Sequence, residues 1–497
     1  MAAIITEKFR LHNAEQFYES LSESSADTYY IGIGKPISFT SDTSGGTDLS
    51  PPTPVDDVSS EYYLWDSMIA AKKLTSTDVT YVIPRRNWAN STTYDMYEHN
   101  ISSSNTTTSS ATNLYDSTFY FMTSDYRVYK VLDNNGGTAY SGAEPTSTST
   151  GPFALGGYVL KYMYQVTTSE AAKYLTSDFI PVSDDSTISA AAVDGKIESL
   201  KITAGTGYTN GTYYAAVYGD GTGAGTSSGA IVRITVSGGT IQSFGLTAGS
   251  DTTIHAGGAG YTFGTVNLAS GYTFSDDALS SASGIGGTGG VIEVVISPKN
   301  GHGNSSIVEL GGHYIMTATT LTQAENDDIT TANDFRQVGL VVDPTNFGTS
   351  TVASATTRRQ TFVVKASSVS GTFEVDEKIT QATTGAVGKV VEFDSTNSLL
   401  YFQQERFSDY GTNSTTGDHS LFEGANVITG ATSSATFTPS SSSETITLAN
   451  NNTITTVSGY VNPELQADSG NIVYLENRKP IQRDSDQTED IKLIIEF

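Results

Sequence analysis

Two short strings in the sequence contain residue types that can do chemistry. Gly-Thr-Ser-Ser-Gly at 225–229 matches the Gly-x-Ser-x-Gly turn that presents a nucleophilic serine in acyl-transfer enzymes. That turn needs a strand before it and a helix after it, and here the flanking residues are Gly and Ser without helical periodicity. Gly-Asp-Gly-Thr-Gly at 219–223 resembles one calcium-binding β-roll repeat, but such sites need stacked copies and this string occurs once. We interpret both strings as turns.

The histidines and carboxylates form no pattern typical of catalysis or metal binding. None of the 6 histidines lies three or four residues from another, and we expect His302, between two glycines, to be a surface or packing residue. The acidic cluster at 484–490 lacks the glycine of an EF-hand loop. No pair among the 53 acids stands out for glycoside cleavage, and the absence of cysteine excludes thiolate metal sites. The sequence therefore predicts no catalytic residue, no metal and no cofactor, and we interpret the protein as not an enzyme.

Arginine and tryptophan side chains occur together in Ile-Pro-Arg-Arg-Asn-Trp at 83–88. Both residue types are enriched in the energetically dominant parts of protein interfaces. Arg85, Arg86 and Trp88 are therefore candidates for an exposed interface anchor in a chain of formal net charge -27. The alternative is an internal ion pair that stabilises the fold, and the sequence leaves both open.

The composition favours strands and turns, and it argues against some partners. Charged residues make up only 16% of the chain, whereas Gly (48 residues) and Tyr (28 residues) are abundant. The acidic balance repels nucleic acid and anionic membranes, and we find neither a signal-peptide core nor a stretch of about 18 apolar residues. We expect a soluble protein made in a cytoplasm, with no nucleic-acid or membrane partner.

Periodicity places a few short helices among many strands. Asn13 has the spacing of a helix cap before 14–21, and an apolar stripe predicts a second helix over 59–74. Strands are predicted at 79–83, 119–122, 127–132, 157–166 and 335–343. The fold class predicted is mainly β with a few short helices, namely antiparallel β-sandwich domains plus inserted Gly-rich β-repeat domains.

Two regions contain internal repeats. Gly-x-Ile-x-Ser-x-x-x-Thr-Ala-Gly occurs at 195–205 and again at 239–249. A second pair of similar strings, at 373–390 and 422–437, has an offset near 49 residues and indicates a small β domain with internal pseudo-symmetry.

These changes in sequence character predict five segments. They are an N-terminal core domain at 1–190, a Gly-rich β-repeat insertion at 195–300, a return to the core at 301–357, an inserted small β domain at 358–450, and C-terminal core strands at 466–497.

Several blocks, in order, resemble one protein family. They are Thr-Glu-Lys-Phe-Arg at 6–10, Ile-Pro-Arg-Arg-Asn-Trp at 83–88, Val-Tyr-Lys-Val-Leu-Asp at 128–133, Gly-Tyr-Val-Leu-Lys-Tyr-Met-Tyr at 157–164, Phe-Arg-Gln at 335–337, Tyr-Leu-Glu-Asn-Arg-Lys-Pro-Ile at 474–481 and Asp-Gln-Thr-Glu at 486–489. The chain thereby resembles the baseplate wedge protein (gene product eight) of T-even-like contractile-tailed bacteriophages. The resemblance covers roughly 1–190, 300–350 and 466–497, and the two repeat regions look like β-rich insertions.

The resemblance implies a structural role rather than catalysis. It implies β-sandwich domains, a homodimer, and a place in the virion tail baseplate beside wedge proteins resembling gene products six, seven and ten. The role implied is to hold wedge subunits together during tail assembly and during the baseplate rearrangement in infection. The tail block adds Tyr474, Glu476, Asn477 and Arg478 as candidate interface or core anchors.

Two other functions compete with this interpretation. The insertions, rich in Gly and Tyr, suit a tail adhesin that binds the host surface. A tail-associated hydrolase would require a serine or carboxylate whose substitution abolishes release of sugars or peptides from the host envelope.

Overall fold

The chain divides into two compact units, each assembled from segments distant in sequence. The computed structural model describes residues 6–23, 26–41, 45–322, 330–331, 333–406, 418–449, 451–484 and 486–497. The first unit comprises 1–15, 80–316 and 494–497, and the second comprises 16–79 and 317–493. This division groups segments and leaves the five predicted domain boundaries as predictions.

The described residues form five α-helices, all short. They are α1 Glu7–Ser20, α2 Val58–Ser67, α3 Thr168–Tyr174, α4 Ser186–Ala191 and α5 Ser306–Leu310.

Strands account for most of the regular structure in the described ranges. They are β1 Tyr29–Gly34, β2 Met68–Lys73, β3 Val79–Pro84, β4 Tyr120–Met122, β5 Arg127–Asp133, β6 Phe153–Leu155, β7 Tyr158–Gln165, β8 Phe179–Pro181, β9 Ser199–Thr203, β10 Thr206–Tyr208, β11 Gly211–Gly219, β12 Ile231–Ser237, β13 Thr240–Ile241, β14 Thr253–Ala256, β15 Gly264–Val266, β16 Gly286–Thr288, β17 Val291–Val295, β18 Tyr314–Thr322, β19 Phe335–Val342, β20 Thr357–Arg359, β21 Phe362–Ser370, β22 Lys378–Gln381, β23 Ala386–Asp394, β24 Leu399–Gln403, β25 Ile428–Gly430, β26 Thr436–Pro439, β27 Thr445–Thr447, β28 Thr453–Thr455, β29 Tyr460–Val461, β30 Asn471–Ile481 and β31 Thr488–Glu496.

Both helix predictions need correction at their ends. Helix α1 begins at Glu7, so Asn13 lies inside the helix and does not cap it. Helix α2 is capped by Asp57, whose carboxylate accepts a hydrogen bond from Ser60 N at 2.8 Å. The apolar stripe beyond Ser67 continues as strand β2, because those residues pair with β1 on one side and β20 on the other. Tertiary pairing thus overrides a pattern that a helix and a buried strand share.

The first unit contains a four-stranded antiparallel sheet in the order β4-β5-β7-β6. Its core is aromatic, and Tyr129 and Tyr158 are fully buried side chains packed with Phe121 and Tyr140. Buried tyrosines keep their hydroxyls satisfied: Tyr158 donates to Thr138 O at 2.7 Å. The strands predicted in this region are confirmed to within a few residues.

A second sheet of the first unit has the order β13-β12-β11-β15-β17-β9, with β14 paired to β12. It encloses an aliphatic core that includes Leu200, Val217 and Ile234. The two repeated strings do not adopt matching structures here. The first contains strand β9, whereas the second contains only the two-residue β13 and is otherwise irregular. A shared sequence string therefore does not produce a shared structural repeat in this insertion.

The second unit contains a five-stranded antiparallel sheet in the order β20-β2-β1-β19-β30. Strand β19 is buried at all eight positions, which is typical of a central strand covered on both faces. Strand β30 lies at the edge and is mostly half-buried or exposed.

Six strands of the second unit, β21 to β26, form a closed barrel in the region where the sequence predicts an inserted small β domain. Six strands pair in the order β24-β23-β22-β25-β26-β21, and β21 pairs back to β24. The two similar strings each form a strand–turn–strand hairpin, β22–β23 and β25–β26, and the hairpins join through antiparallel β22 and β25. Closure gives each strand two partners and so leaves no open edge among the six. The mainly β, antiparallel fold class is confirmed.

Candidate functional site

The Arg85–Trp88 segment follows β3 in the first unit, and backbone hydrogen bonds fix both of its ends. Arg85 N donates to Asp178 O at 2.7 Å, and Trp88 N donates to Met122 O at 2.8 Å. The Arg85 side chain donates to Thr176 O at 2.6 Å and to Asn87 Oδ1 at 2.9 Å. Both arginines and Trp88 are half-buried.

The Arg86 guanidinium stacks on an aromatic ring instead of forming an ion pair. Its central carbon lies 4.6 Å from the centroid of the buried Tyr120 ring, and Nη2 donates to Tyr115 O at 2.8 Å. Within the described residues, Arg86 Nη1 and Trp88 Nε1 are buried and have no hydrogen-bond partner. The internal contacts of Arg86 are therefore cation–π and carbonyl contacts, with two donors left over.

The tail candidates lie on edge strand β30 of the second unit. Tyr474 donates its hydroxyl hydrogen bond to Glu476 Oε2 at 2.9 Å, and Arg478 Nη1 lies 3.2 Å from Glu476 Oε1. Burial, together with the Glu476 carboxylate, raises the pKa of Tyr474 to about 12. Tyr474, Glu476 and Arg478 thus form a line along one face of the strand.

Asn477 has a different role, because it joins β30 to its neighbours. Its Nδ2 donates to Pro52 O at 3.0 Å, and its Oδ1 accepts from Gln337 Nε2 at 2.8 Å. Asn477 is therefore a packing residue within the second unit, while the arginine–tryptophan segment belongs to the first.

The two strings that resembled catalytic and calcium sites are turns, as predicted. Residues 225–229 form turns and bends that run into strand β12 with no helix, and Ser227 is exposed. Asp220 accepts hydrogen bonds from Thr262 N at 2.8 Å and Phe263 N at 3.3 Å. The bonds from Thr262, with that from Phe263, lower the pKa of Asp220. Its carboxylate therefore serves to fix a turn.

Among the described residues, no group of three or more His, Asp or Glu side chains is arranged to hold a metal ion. No described helix is both long enough and apolar enough to cross a membrane.

A buried charged cluster, made of Lys130, His302, Glu309 and Tyr97, was missed from the sequence. Lys130 Nζ lies 2.7 Å from Glu309 Oε2 and 2.9 Å from His302 Nδ1, and 3.9 Å from the Tyr97 ring centroid. Lys130 is 0% exposed and Glu309 is 4% exposed. Glu309 Oε1 also accepts from Gly303 N at 2.6 Å. The cluster ties β5 to the segment that follows the first insertion.

Burial explains the charge states in this cluster. Desolvation lowers the pKa of Lys130, and the Glu309 carboxylate opposes that shift. Desolvation, with the neighbouring Lys130, lowers the pKa of His302 well below its ordinary value, so His302 is neutral. His302 is thus a packing histidine, one of the two roles expected.

Asp133, at the end of β5, supplies a prediction about pH. Burial raises its pKa from 3.8 to about 6. Between these values the folded chain binds more protons than the unfolded chain, so stability falls as pH rises. Asn135 N donates to Asp133 Oδ1 at 2.8 Å, and the side-chain oxygen of an asparagine at position 133 can still accept this hydrogen bond. We expect Asp133→Asn to stabilise the first unit by about 1–3 kcal/mol at pH 7 and to have little effect near pH 3.5.

The stability of Asp133→Asn can be measured by urea unfolding with Trp88 as the fluorescent probe of the first unit. The chain has only two tryptophans, Trp88 and Trp65, and they lie in different units. A Trp65→Phe background therefore leaves Trp88 as the only tryptophan. An equal effect at both pH values would show that the Asp133 carboxylate is not destabilising.

Comparison with known families supports the resemblance in part of the chain. Residues 3–143 and 441–497 match the family model Phage-Gp8, described as Bacteriophage T4, Gp8. The match contains all seven candidate residues, Arg85, Arg86, Trp88, Tyr474, Glu476, Asn477 and Arg478. The blocks at 157–164 and 335–337 and most of both insertions lie in the region that is not matched.

No curated protein matches the chain. The matched segments come from the two ends of the sequence, and the family is one of structural phage proteins of the virion tail. Over residues 3–143 and 441–497, this chain matches the family of the T4 baseplate protein Gp8, and the large region between these segments is not covered by the match.

Proposed function

We propose that the protein is a structural subunit of the baseplate wedge that holds wedge subunits together during tail assembly and during rearrangement in infection. The observation that carries this proposal is the family match, which spans both groups of candidate anchors. The partners proposed are a second copy of the chain and wedge proteins resembling gene products six, seven and ten. A surface of net charge -27 suits partners with basic patches.

One surface of the second unit has the features of a partner contact. In the described residues β30 pairs only with β19, so its outer edge presents unpaired backbone groups. Val473 on this strand is 50% exposed, and nearby Val55 is 64% exposed. Both line a groove of about 300 Å³ that also contains Asp56 and Glu61. A groove that combines exposed valines with acidic side chains, beside an open strand edge, supports a role in subunit contact.

The test is a phage in which this gene is switched off and supplied in trans. We expect tails without complete baseplates when the protein is absent, and restoration when the wild-type chain is supplied. Normal baseplates in its absence would contradict the proposal. Sedimentation of the purified chain tests the homodimer separately.

Val473→Lys is expected to weaken partner binding without unfolding the protein, because the side chain is half exposed and the new charge would be buried in the interface. A matched control is Val457→Lys, at a valine that is 72% exposed and lies off β30. We expect at least a tenfold loss of binding to purified wedge partners for Val473→Lys alone. Equal behaviour of the two variants would exclude the β30 edge as an interface.

Arg86→Ala is expected to destabilise the first unit by about 1–3 kcal/mol, because it removes the contact with Tyr120 and the bond to Tyr115 O. Arg86→Lys keeps the charge and loses the planar stacking, so it should fall between alanine and wild type. Trp88 fluorescence during urea unfolding measures the effect. If Arg86→Ala leaves stability, dimerisation and wedge binding all unchanged, Arg86 is neither anchor nor core residue.

Exposed aromatic side chains favour a second function for the first insertion. Phe263 is 58% exposed and Tyr272 is 42% exposed, and Tyr272 packs edge-on against Tyr218 with 5.7 Å between ring centroids. Aromatic faces of this kind suit sugar rings, as the adhesin hypothesis requires. Binding of the full-length chain to host cells, lost in Tyr272→Ala, would support it, and equal binding by both proteins would contradict it.

A further inference from the structure

One face of the sheet in the first insertion carries a row of side chains that crosses four strands. Tyr218 of β11 lies opposite Thr265 of β15, and Thr265 lies opposite Glu293 of β17. Glu293 in turn lies opposite Lys201 of β9. Residues directly opposite each other on neighbouring strands point to the same face of a sheet, so these four side chains form one continuous row.

The row lies on the face of the sheet that is turned away from its aliphatic core. Val217, next to Tyr218, and Ile292, next to Glu293, belong to that core. Successive side chains of a strand point to opposite faces, so the row lies on the outer face. Tyr218 is 36% exposed, and Thr265 and Glu293 are exposed as well. The row is therefore accessible to a ligand from solution.

Two tyrosines form an aromatic surface at one end of the row. Tyr272, which is 42% exposed, packs edge-on against Tyr218 with 5.7 Å between ring centroids. Gly225 lies so close to the Tyr218 ring that a Cβ on it would be 2.9 Å from Cδ1 of the ring. These contacts fix the orientation of the Tyr218 ring before a ligand binds, which lowers the entropic cost of binding.

The rest of the row presents mainly hydrogen-bond acceptors. Lys201 Nζ donates to Glu98 Oε2 at 2.9 Å and lies 3.1 Å from Glu98 Oε1, so its charge is balanced by that carboxylate. The Glu293 carboxylate accepts hydrogen bonds, and the Thr265 hydroxyl both donates and accepts them. On a chain of net charge -27, this carboxylate repels anionic ligands. A neutral sugar has hydroxyls that donate to a carboxylate and C–H groups that pack on the negative face of an aromatic ring.

The length of the row suits an extended oligosaccharide. Neighbouring strands lie about 4.8 Å apart, so the three steps from β11 to β9 span roughly 14 Å. One strand spacing is close to the length of a pyranose unit, so successive sugars of an extended glycan can lie on successive strands. A monosaccharide would contact only one end of the row.

We propose that this face of the first insertion binds a neutral oligosaccharide of about three sugar units along the row from Tyr218 to Lys201. One sugar ring stacks on Tyr218 and Tyr272, and the hydroxyls of the following units hydrogen-bond to Thr265 and Glu293. The proposal rests on the second function proposed above for this insertion, and it names the site and the class of ligand. The first insertion lies outside the segments that match the Gp8 family.

The test is binding of the full-length chain, detected with an antibody against it, to an array of neutral, anionic and cationic oligosaccharides of increasing length. Isothermal titration calorimetry then compares the strongest neutral binder with its monosaccharide and with pentalysine, a cationic peptide. We expect binding to be confined to neutral glycans. The trisaccharide should bind at least tenfold more tightly than the monosaccharide, a difference of about 1.4 kcal/mol.

Thr265→Lys is the most direct variant, because it places a long side chain across the middle of the row at an exposed position. We expect at least a tenfold loss of glycan binding with an unchanged melting temperature, and a similar loss of binding for Tyr272→Ala. The matched control Thr212→Lys makes the same change at an exposed threonine of β11, roughly 20 Å along the strand from Tyr218. Phe347→Ala removes an aromatic side chain of the second unit that is also 42% exposed. Both controls should bind like wild type.

Three results would overturn the proposal. They are an array without any bound neutral glycan, binding of anionic glycans or pentalysine as tight as that of the neutral ligand, and equal binding by Thr265→Lys and wild type. Failure of the adhesin function looks different. Glycan binding by a chain that does not bind host cells would leave this site in place and exclude adhesion, and cell binding that persists in Thr265→Lys after glycan binding is lost would assign adhesion to another surface.

Discussion

Glu309→Gln is expected to destabilise the first unit by roughly 3–5 kcal/mol, because it leaves the Lys130 ammonium buried without its counter-charge. Lys130 is 0% exposed, and Glu309 is the carboxylate that it contacts, at 2.7 Å. Glutamine still accepts the hydrogen bond from Gly303 N, so the effect isolates the charge. The measurement is urea unfolding followed by Trp88 fluorescence in the Trp65→Phe background.

The double variant Lys130→Met/Glu309→Gln is the control. It removes both charges, and replacing a buried ion pair by uncharged groups is often close to neutral. We expect it to recover at least half of the stability lost in Glu309→Gln. The loss in the single variant should also shrink as pH rises, because the folded protein then releases the Lys130 proton before the unfolded chain does. A single variant as stable as wild type at pH 7 would contradict this account of the cluster.

Gly195→Ala is expected to be far more damaging than Gly239→Ala, although the two glycines begin the two similar strings. Both have positive φ, +62° and +74°, so alanine costs about 1–2 kcal/mol at either position. A Cβ on Gly195 would lie 2.2 Å from Tyr261 N, whereas the nearest atom to a Cβ on Gly239 is 3.7 Å away. The backbone clash adds about 1–3 kcal/mol at Gly195 alone.

The comparison uses thermal unfolding of both variants, with hydrogen exchange of β9 and β11 as a local readout. We expect Gly239→Ala to lower the melting temperature slightly, and Gly195→Ala to lower it by several degrees more and to speed exchange in these strands. Equal effects would mean that the first insertion relaxes around the new methyl group.

The contrast between these glycines shows a limit of sequence reasoning. The strings at 195–205 and 239–249 predict equivalent structures, but of their two first glycines only Gly195 lies so close to a neighbouring backbone that a Cβ would clash with it. That packing depends on residues 260 and 261, which no local pattern connects to Gly195. The strands around it were predictable because alternation and turn residues are local signals.

The candidate anchors and the buried charged cluster show the same difference between local signals, which the sequence reveals, and contacts between distant residues, which it does not. Arg85, Arg86 and Trp88 could be selected from residue type and from family resemblance, yet the stacking of Arg86 on Tyr120 needed the paired strands. Lys130 was visible as a charge inside the apolar run of β5, which is a usable signal for a buried ion pair. Its partner Glu309 is 179 residues away, so the pairing could not be read from the sequence.

A cavity of the second unit, lined in part by Trp65, could not be predicted from the sequence for the same reason. Its lining comes from separate stretches, at 65–66, 347–362, 403–406 with 418–419, and 463–468. The segment that places Trp65 was itself predicted as a longer helix, because Met68 and Ile69 suit a helical stripe as well as a buried strand.

The measurement that tests the central claim most directly is gold-labelled antibody imaging of intact virions with an antibody against this chain. The account predicts label at the distal plate of the tail, around its six-fold rim. Label on fibre tips alone would favour the adhesin function, and virions without label would contradict the baseplate assignment.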